Sequence, residues 1–161
     1  MSSPYKTFSI KSFGCKVNLA DSSMISKKLM DYGFSLVDFD DVADLYIINT
    51  CSVTNNADLK ADKFIRGIYK KSPESKIIIT GCYAQLNPDQ LLKNKGVDVV
   101  VGTKDKFNIE KYLSTDIEAQ NKFVTNINNV ENFDITHTIS ERTRSFVKIQ
   151  DGCDYNCTYC T

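Results

Sequence analysis

No sign of charge predominates in this chain of 161 residues: 20 Lys and Arg face 20 Asp and Glu. A zero net charge gives no global field that would steer the molecule toward nucleic acid. Long apolar runs are also missing. No stretch approaches the roughly 20 residues that a membrane-crossing helix needs, and the opening Met1-Ser2-Ser3-Pro4-Tyr5-Lys6 has no apolar h-region. The expectation is a cytoplasmic protein with no membrane partner. Histidine is almost absent: His137 stands alone in a polar stretch and reads as a surface residue, which leaves a zinc site short of its usual ligands. There is no internal repeat and no low-complexity tract. With 42% hydrophobic residues, the chain can bury one substantial core and little beyond it.

Cysteine, by contrast, is plentiful. Six cysteines fall into two sets of three, and the last set reads Cys153-Asp154-Tyr155-Asn156-Cys157-Thr158-Tyr159-Cys160. It follows Gly152 and the apolar, strand-like run Phe146-Val147-Lys148-Ile149. Three thiolates so close together can reach three corners of one iron-sulfur cube and leave the fourth iron without a protein ligand. An open iron lets a cluster bind a small molecule as well as pass electrons. The competing readings are a zinc site, inert core thiols and, given the even count, disulfides. A reducing compartment argues against the last.

Along the first 115 residues short β-branched runs alternate with helical patterns. The spacing predicts strands at Lys6 to Phe13, Ser35 to Asp38, Leu45 to Asn49, Lys76 to Thr80 and Val97 to Val101. Tyr46-Ile47-Ile48, Ile77-Ile78-Ile79 and Val99-Val100-Val101 are continuous apolar triplets, as strands buried on both faces require. Asn18 is a candidate cap for a first helix carrying Ala20, Met24, Ile25 and Leu29, with Gly33 as its stop. A second helix from about Asn56 to Lys71 places Ala57, Ala61, Phe64, Ile65 and Ile68 on one face, and Pro73 lies beyond it. Pro88 opens a third with Leu91 and Leu92, and Phe107 to Leu113 forms a fourth. Such alternation predicts an α/β fold, a doubly wound parallel five-stranded sheet of flavodoxin or Rossmann-like type in the order 2-1-3-4-5. Residues 116–143 read as a connector, with a hairpin pairing Lys122 to Ile127 against Phe133 to Thr136. Residues 144–161, led by a strand from Ser145 to Gln150, begin a second unit.

On that fold Cys15, Cys51 and Cys82 each follow a predicted strand, and Gly14 and Gly81 precede two of them. The carboxyl ends of a parallel sheet share one edge, and strands 1, 3 and 4 are neighbours about 4.8 Å apart, so the three thiols can converge on one cluster. Zinc with a fourth ligand from Asn or water is the main competitor. Asn18, Asn49 and Thr50 stand next to this triad as candidate hydrogen-bond donors to cluster sulfides, with a helix cap and a strand-end turn as the simpler reading. Lys63, Arg66 and Lys70 form a basic stripe opposite the apolar face of the second helix. It can meet phosphates, but zero net charge favours a solvated face.

The CxxxCxxC of the second triad resembles the signature of radical S-adenosylmethionine enzymes. Nearly the whole chain resembles one subfamily of these, the methylthiotransferases: Gly14-Cys15-Lys16-Val17-Asn18, Asp21-Ser22, Asn49-Thr50-Cys51-Ser52-Val53-Thr54, Gly81-Cys82-Tyr83-Ala84-Gln85 and Val101-Gly102-Thr103 stand in that family's order and spacing. Lys16-Val17 and Val53-Thr54 are closest to the bacterial branch that modifies threonylcarbamoyladenosine in tRNA. The isopentenyladenosine branch usually has Gln-Met-Asn after the first cysteine, and the ribosomal-protein branch Pro-Lys-Asn. The resemblance implies two 4Fe-4S clusters. Cys153, Cys157 and Cys160 would hold the one that binds and cleaves S-adenosylmethionine, with Tyr159 near the adenine. Cys15, Cys51 and Cys82 would hold an auxiliary cluster carrying the sulfur to be donated. The product would be a methylthio group on carbon 2 of the adenine next to the anticodon, with partners of tRNA, an electron donor of flavodoxin or ferredoxin type and a sulfur donor.

Enzymes of this family continue into a partial barrel and a small RNA-binding β domain. The 161 residues carry all six implied ligands but at most the first strand of that barrel, so alone they are expected to be inactive. A methylthiotransferase acting on isopentenyladenosine tRNA or on a ribosomal protein is the first alternative, and a non-enzymatic metal or iron-sulfur module the second.

Overall fold

The computed structural model describes residues 5–51, 55–113, 121–127, 134–138, 145–150 and 158. β1 (Thr7–Ser12), β2 (Ser35–Leu36), β3 (Leu45–Thr50), β4 (Lys76–Gly81), β5 (Val99–Val101) and β6 (Asn121–Phe123) form one sheet in the order β2-β1-β3-β4-β5-β6. Every pairing in it is parallel. The predicted order 2-1-3-4-5 holds, and the count is corrected from five strands to six. The extra strand comes from the expected connector: Asn121–Phe123 lies alongside β5, and Lys122 pairs with Val100 instead of turning back in a hairpin.

The apolar triplets alternate across the sheet as a period of two requires. Leu45, Ile47, Ile78, Val99 and Val101 enter one core with Phe8, Ile25 and Leu29, whereas Tyr46, Ile48, Ile77, Ile79 and Val100 enter a second with Ile65, Ile68 and Leu91. All six residues of β3 and of β4 are buried. Each core aliphatic side chain taken from water contributes about 1.5–3 kcal/mol. α1 (Lys16–Asp31) covers one face. α2 (Asn55–Lys71), α3 (Cys82–Leu86) and α4 (Pro88–Leu92) cover the other.

Helix ends follow local chemistry, with two departures from expectation. α1 stops at Gly33, whose φ of 91° suits a residue without Cβ. Gly33 N donates to Met30 O and Phe34 N to Leu29 O, at 2.9 and 3.0 Å, the paired bonds of a Schellman ending, with Phe34 and Leu29 in the same core. The start of α1 differs: Cys15 takes the cap position, and Asn18 lies inside the first turn, buried, its amide engaged elsewhere. The predicted fourth helix is a short 3-10 turn, Ile109–Tyr112. Ile109 and Tyr112 are three residues apart and both enter the α1-side core, the spacing that a threefold helix aligns.

The remaining strands, β7 (Thr136–His137) and β8 (Val147–Lys148), pair antiparallel as a separate two-stranded sheet packed against α1. The expected strand Ser145 to Gln150 is thus narrowed to two residues, and its partner is the segment around His137, which is exposed as anticipated. Among the described residues no helix is long and apolar enough to cross a membrane.

Candidate metal centre

Three strand ends define the site. Ser12 of β1 pairs with Asn49 of β3, Asn49 with Thr80 of β4, and Thr50 with Gly81. Cys15, Cys51 and Cys82 come within three residues of these rungs, so all three leave the sheet at the same carboxyl edge. Cys51 is buried, Cys15 and Cys82 are exposed, and none is in a disulfide. Thiolate is the donor type that an iron-sulfur cluster takes, and these three cysteines follow the ends of three neighbouring strands. Among the described residues, which include these three cysteines, no group of three His, Cys, Asp or Glu side chains is placed to hold a metal ion. Cys153, Cys157, Cys160 and Tyr159 lie outside the described residues.

Two glycines make the edge possible. At Gly14, φ is 117°, and a Cβ there would sit 2.2 Å from Cys51 Cβ and 2.8 Å from its sulfur. At Gly81, φ is 98°, and a Cβ would meet Thr50 O at 2.2 Å. Both turns therefore bring cysteine-bearing backbone closer to the next strand than any side chain allows.

The polar residues beside the triad brace these turns. Asn18 Nδ2 donates to Phe13 O at 3.0 Å and to Thr50 O at 2.9 Å, joining the segments of Cys15 and Cys51. Its Oδ1 accepts from Cys15 Sγ at 3.6 Å. Asn49 Nδ2 donates to Asn18 O at 2.9 Å and to Ser22 Oγ at 3.0 Å, and Thr50 Oγ1 to Thr80 O at 2.6 Å. The expectation that Asn18, Asn49 and Thr50 donate to cluster sulfides is thus corrected: all of these side-chain donors are already committed within the protein, because buried backbone carbonyls at the strand ends need partners of their own.

Sequence reading missed two further residues. Gln85, one turn after Cys82, accepts from Thr103 N and donates to Thr125 O, each at 2.9 Å, and so ties α3 to the ends of β5 and β6. Asp21, one turn after Asn18, is buried at the centre of a clamp. Its carboxylate meets Lys106 Nζ at 2.7 Å, Thr136 Oγ1 at 2.8 Å and Lys148 Nζ at 3.5 Å. Lys106 and Lys148 are themselves buried, and both ammonium groups lie over the Phe107 ring, at 5.1 and 5.4 Å. Asp21-Ser22 stood out only as a motif. Its partners, Lys106, Thr136 and Lys148, are too far away in sequence for any local pattern to reveal.

The chain is 37% identical over 155 residues to threonylcarbamoyladenosine tRNA methylthiotransferase MtaB of Aquifex aeolicus, covering 93% of the chain and 38% of that protein. The MtaB of Bacillus subtilis is 36% identical over 160 residues, covering 96% of the chain and 35% of the relative. A tRNA-2-methylthio-N(6)-dimethylallyladenosine synthase of Neorickettsia sennetsu is 33% identical over 172 residues, again covering 96% and 35%. The chain spans about a third of the length of the curated relatives it matches. Residues 7–102 match the family described as Uncharacterized protein family UPF0004. That segment runs from the first residue of β1 to the residue after β5 and contains Cys15, Cys51 and Cys82 with the strands that bring them to one edge, and the chain belongs to this family.

Proposed function

We propose that the chain is part of a tRNA methylthiotransferase that places a methylthio group on carbon 2 of threonylcarbamoyladenosine beside the anticodon. One coincidence carries the reading: strand-end cysteines on a shared sheet edge, in a chain that tRNA methylthiotransferases match over 93–96% of its length. In this reading residues 1–115 form the unit that holds the first cluster, 116–143 connect, and 144–161 begin the unit that holds the second. Cys15, Cys51 and Cys82 ligate an auxiliary 4Fe-4S cluster, and Cys153, Cys157 and Cys160 a second one, with Tyr159 beside the adenine of S-adenosylmethionine. Bound together, the two clusters and S-adenosylmethionine supply radical cleavage, sulfur donation and methyl transfer. The protein's own contribution at the first site is positional: Gly14 and Gly81 allow close approach, and Asn18 and Asn49 hold the strand ends rigid. An electron donor of flavodoxin or ferredoxin type, a sulfur donor and a cytoplasmic setting complete the proposal.

Threonylcarbamoyladenosine is favoured over dimethylallyladenosine because the MtaB relatives reach 36–38% identity against 33% for the synthases. Nucleoside mass spectrometry on a strain lacking the gene decides the matter. Loss of methylthio-threonylcarbamoyladenosine supports the assignment, and unchanged tRNA overturns it. Loss of the methylthio form of isopentenyladenosine alone would transfer the chain to the other branch.

A further inference from the structure

The exposed side of α2 carries Lys60, Lys63, Arg66 and Lys70, and Lys93 and Lys95 after α4 stand across a shallow groove from Arg66 and Lys70. Among the described residues, none of these six cations is paired with a carboxylate, although the chain as a whole is neutral. Lys60 to Lys70 spans about 15 Å at 1.5 Å per residue, the axial length of about four phosphates on one strand of a duplex. A second groove, of about 440 Å³, lies on the other flank of α2. It is lined by Lys60, Lys63, Phe64, Phe39 and Phe13, and the Phe39 and Phe64 rings are stacked at 4.4 Å. Phe13 is two residues before Cys15, and α2 begins four residues after Cys51, so the basic strip leads toward the cysteine edge.

We propose that this face of α2 is an RNA-docking strip that grips the phosphate backbone of tRNA and leads the strand toward the cysteine-bearing edge. The proposal rests on the tRNA reading above and adds where the RNA lies. Cations repeated along one helix with no carboxylate partner among the described residues, and aromatic side chains beside them, fit sequence-independent backbone binding. The helix face expected to be merely solvated thus gains a partner once Lys93 and Lys95 are seen to extend it. An acidic redox protein is the other occupant that such charge would attract.

The test measures binding of the chain to a synthetic anticodon stem-loop RNA by fluorescence anisotropy across a salt series. Lys63→Gln/Arg66→Gln/Lys70→Gln should weaken binding about ten-fold at low salt and reduce the log-log salt slope by about 2–3, close to one unit per phosphate contact. A control with the same charge change away from α2 and from the cysteine edge, Lys6→Gln/Lys27→Gln/Lys111→Gln, should keep both affinity and slope, and all variants should melt like the parent because the substituted side chains lie on the surface. Equal losses in both triple variants would overturn the proposal. So would unchanged RNA binding in the α2 variant, or loss there of an acidic ferredoxin with RNA binding intact. A chain that loads iron and sulfide but never binds the RNA removes the docking strip, while the nucleoside measurement still decides the enzymatic reading.

Discussion

A single methyl group at position 14 would have to occupy space that Cys51 already fills. Gly14→Ala places Cβ 2.2 Å from Cys51 Cβ at a φ of 117°, so it is expected to cost about 2 kcal/mol or more. Urea unfolding measures that loss, and anaerobic reconstitution should show the variant holding less iron. Gly33→Ala is the comparison: a Cβ there meets nothing within 4 Å, so only the backbone penalty remains and iron loading should be unchanged. Asp44 offers a pH test. Its carboxylate accepts from Lys6 N, Thr7 N and Thr7 Oγ1, and these bonds hold its pKa below the ordinary carboxylate value. A carboxylate lowered in the folded state stabilises above its unfolded value, about 3.9, and that contribution disappears as pH falls through the folded value. The melting-temperature gap between the parent and Asp44→Ala should therefore narrow below about pH 4. At this scale the cysteines and their glycines were legible, because each follows an apolar run. Asn18 was not: it sits where a cap is expected, and its actual partner, Thr50 O, is 32 positions away.

Among the elements, α1 carries the heaviest duty. It starts at Cys15, sends Asn18 to the Cys51 segment and, through Asp21, fastens the β5–β6 crossover and the β7–β8 sheet. Removing one partner from a buried ionic cluster strands the others, at a cost of about 3–5 kcal/mol, whereas replacing the whole cluster with packed apolar residues is often neutral. Asp21→Leu alone should therefore be severely destabilising, and Asp21→Leu/Lys106→Met/Lys148→Met should recover most of the loss in urea unfolding. Hydrogen exchange gives a local reading. Thr138 N donates to Phe146 O and Phe146 N to Thr138 Oγ1, each at 2.9 Å, and these two amides should lose protection in the single variant. Long strands and amphipathic helices could be read from periodicity. β6 could not, since Asn121-Lys122-Phe123 is short and mostly polar and its place is fixed by the edge of β5. The 3-10 turn was mistaken for a helix because its apolar spacing fits both.

For the molecule as a whole, sheet order decides which cysteines share an edge. Alternating strands and helices predicted the order β2-β1-β3-β4-β5, and that order alone makes the first, third and fourth strands neighbours. If the two-cluster proposal holds, chain purified without oxygen should bind iron and sulfide, and Cys15→Ala should retain about half of that iron, held by the other triad. Iron analysis with electron paramagnetic resonance checks this, and a preparation that takes up only zinc would contradict it.

The three strand-end cysteines are separated by entire βα units. An unfolded chain therefore contains no local fragment of that centre, whereas Cys153, Cys157 and Cys160 are close together in any conformation. Under the two-cluster proposal the two triads would differ in what loading reports: the compact one would need only its own segment to bind metal, whereas the dispersed one would need β1, β3 and β4 paired, so its loading would report that the sheet is complete.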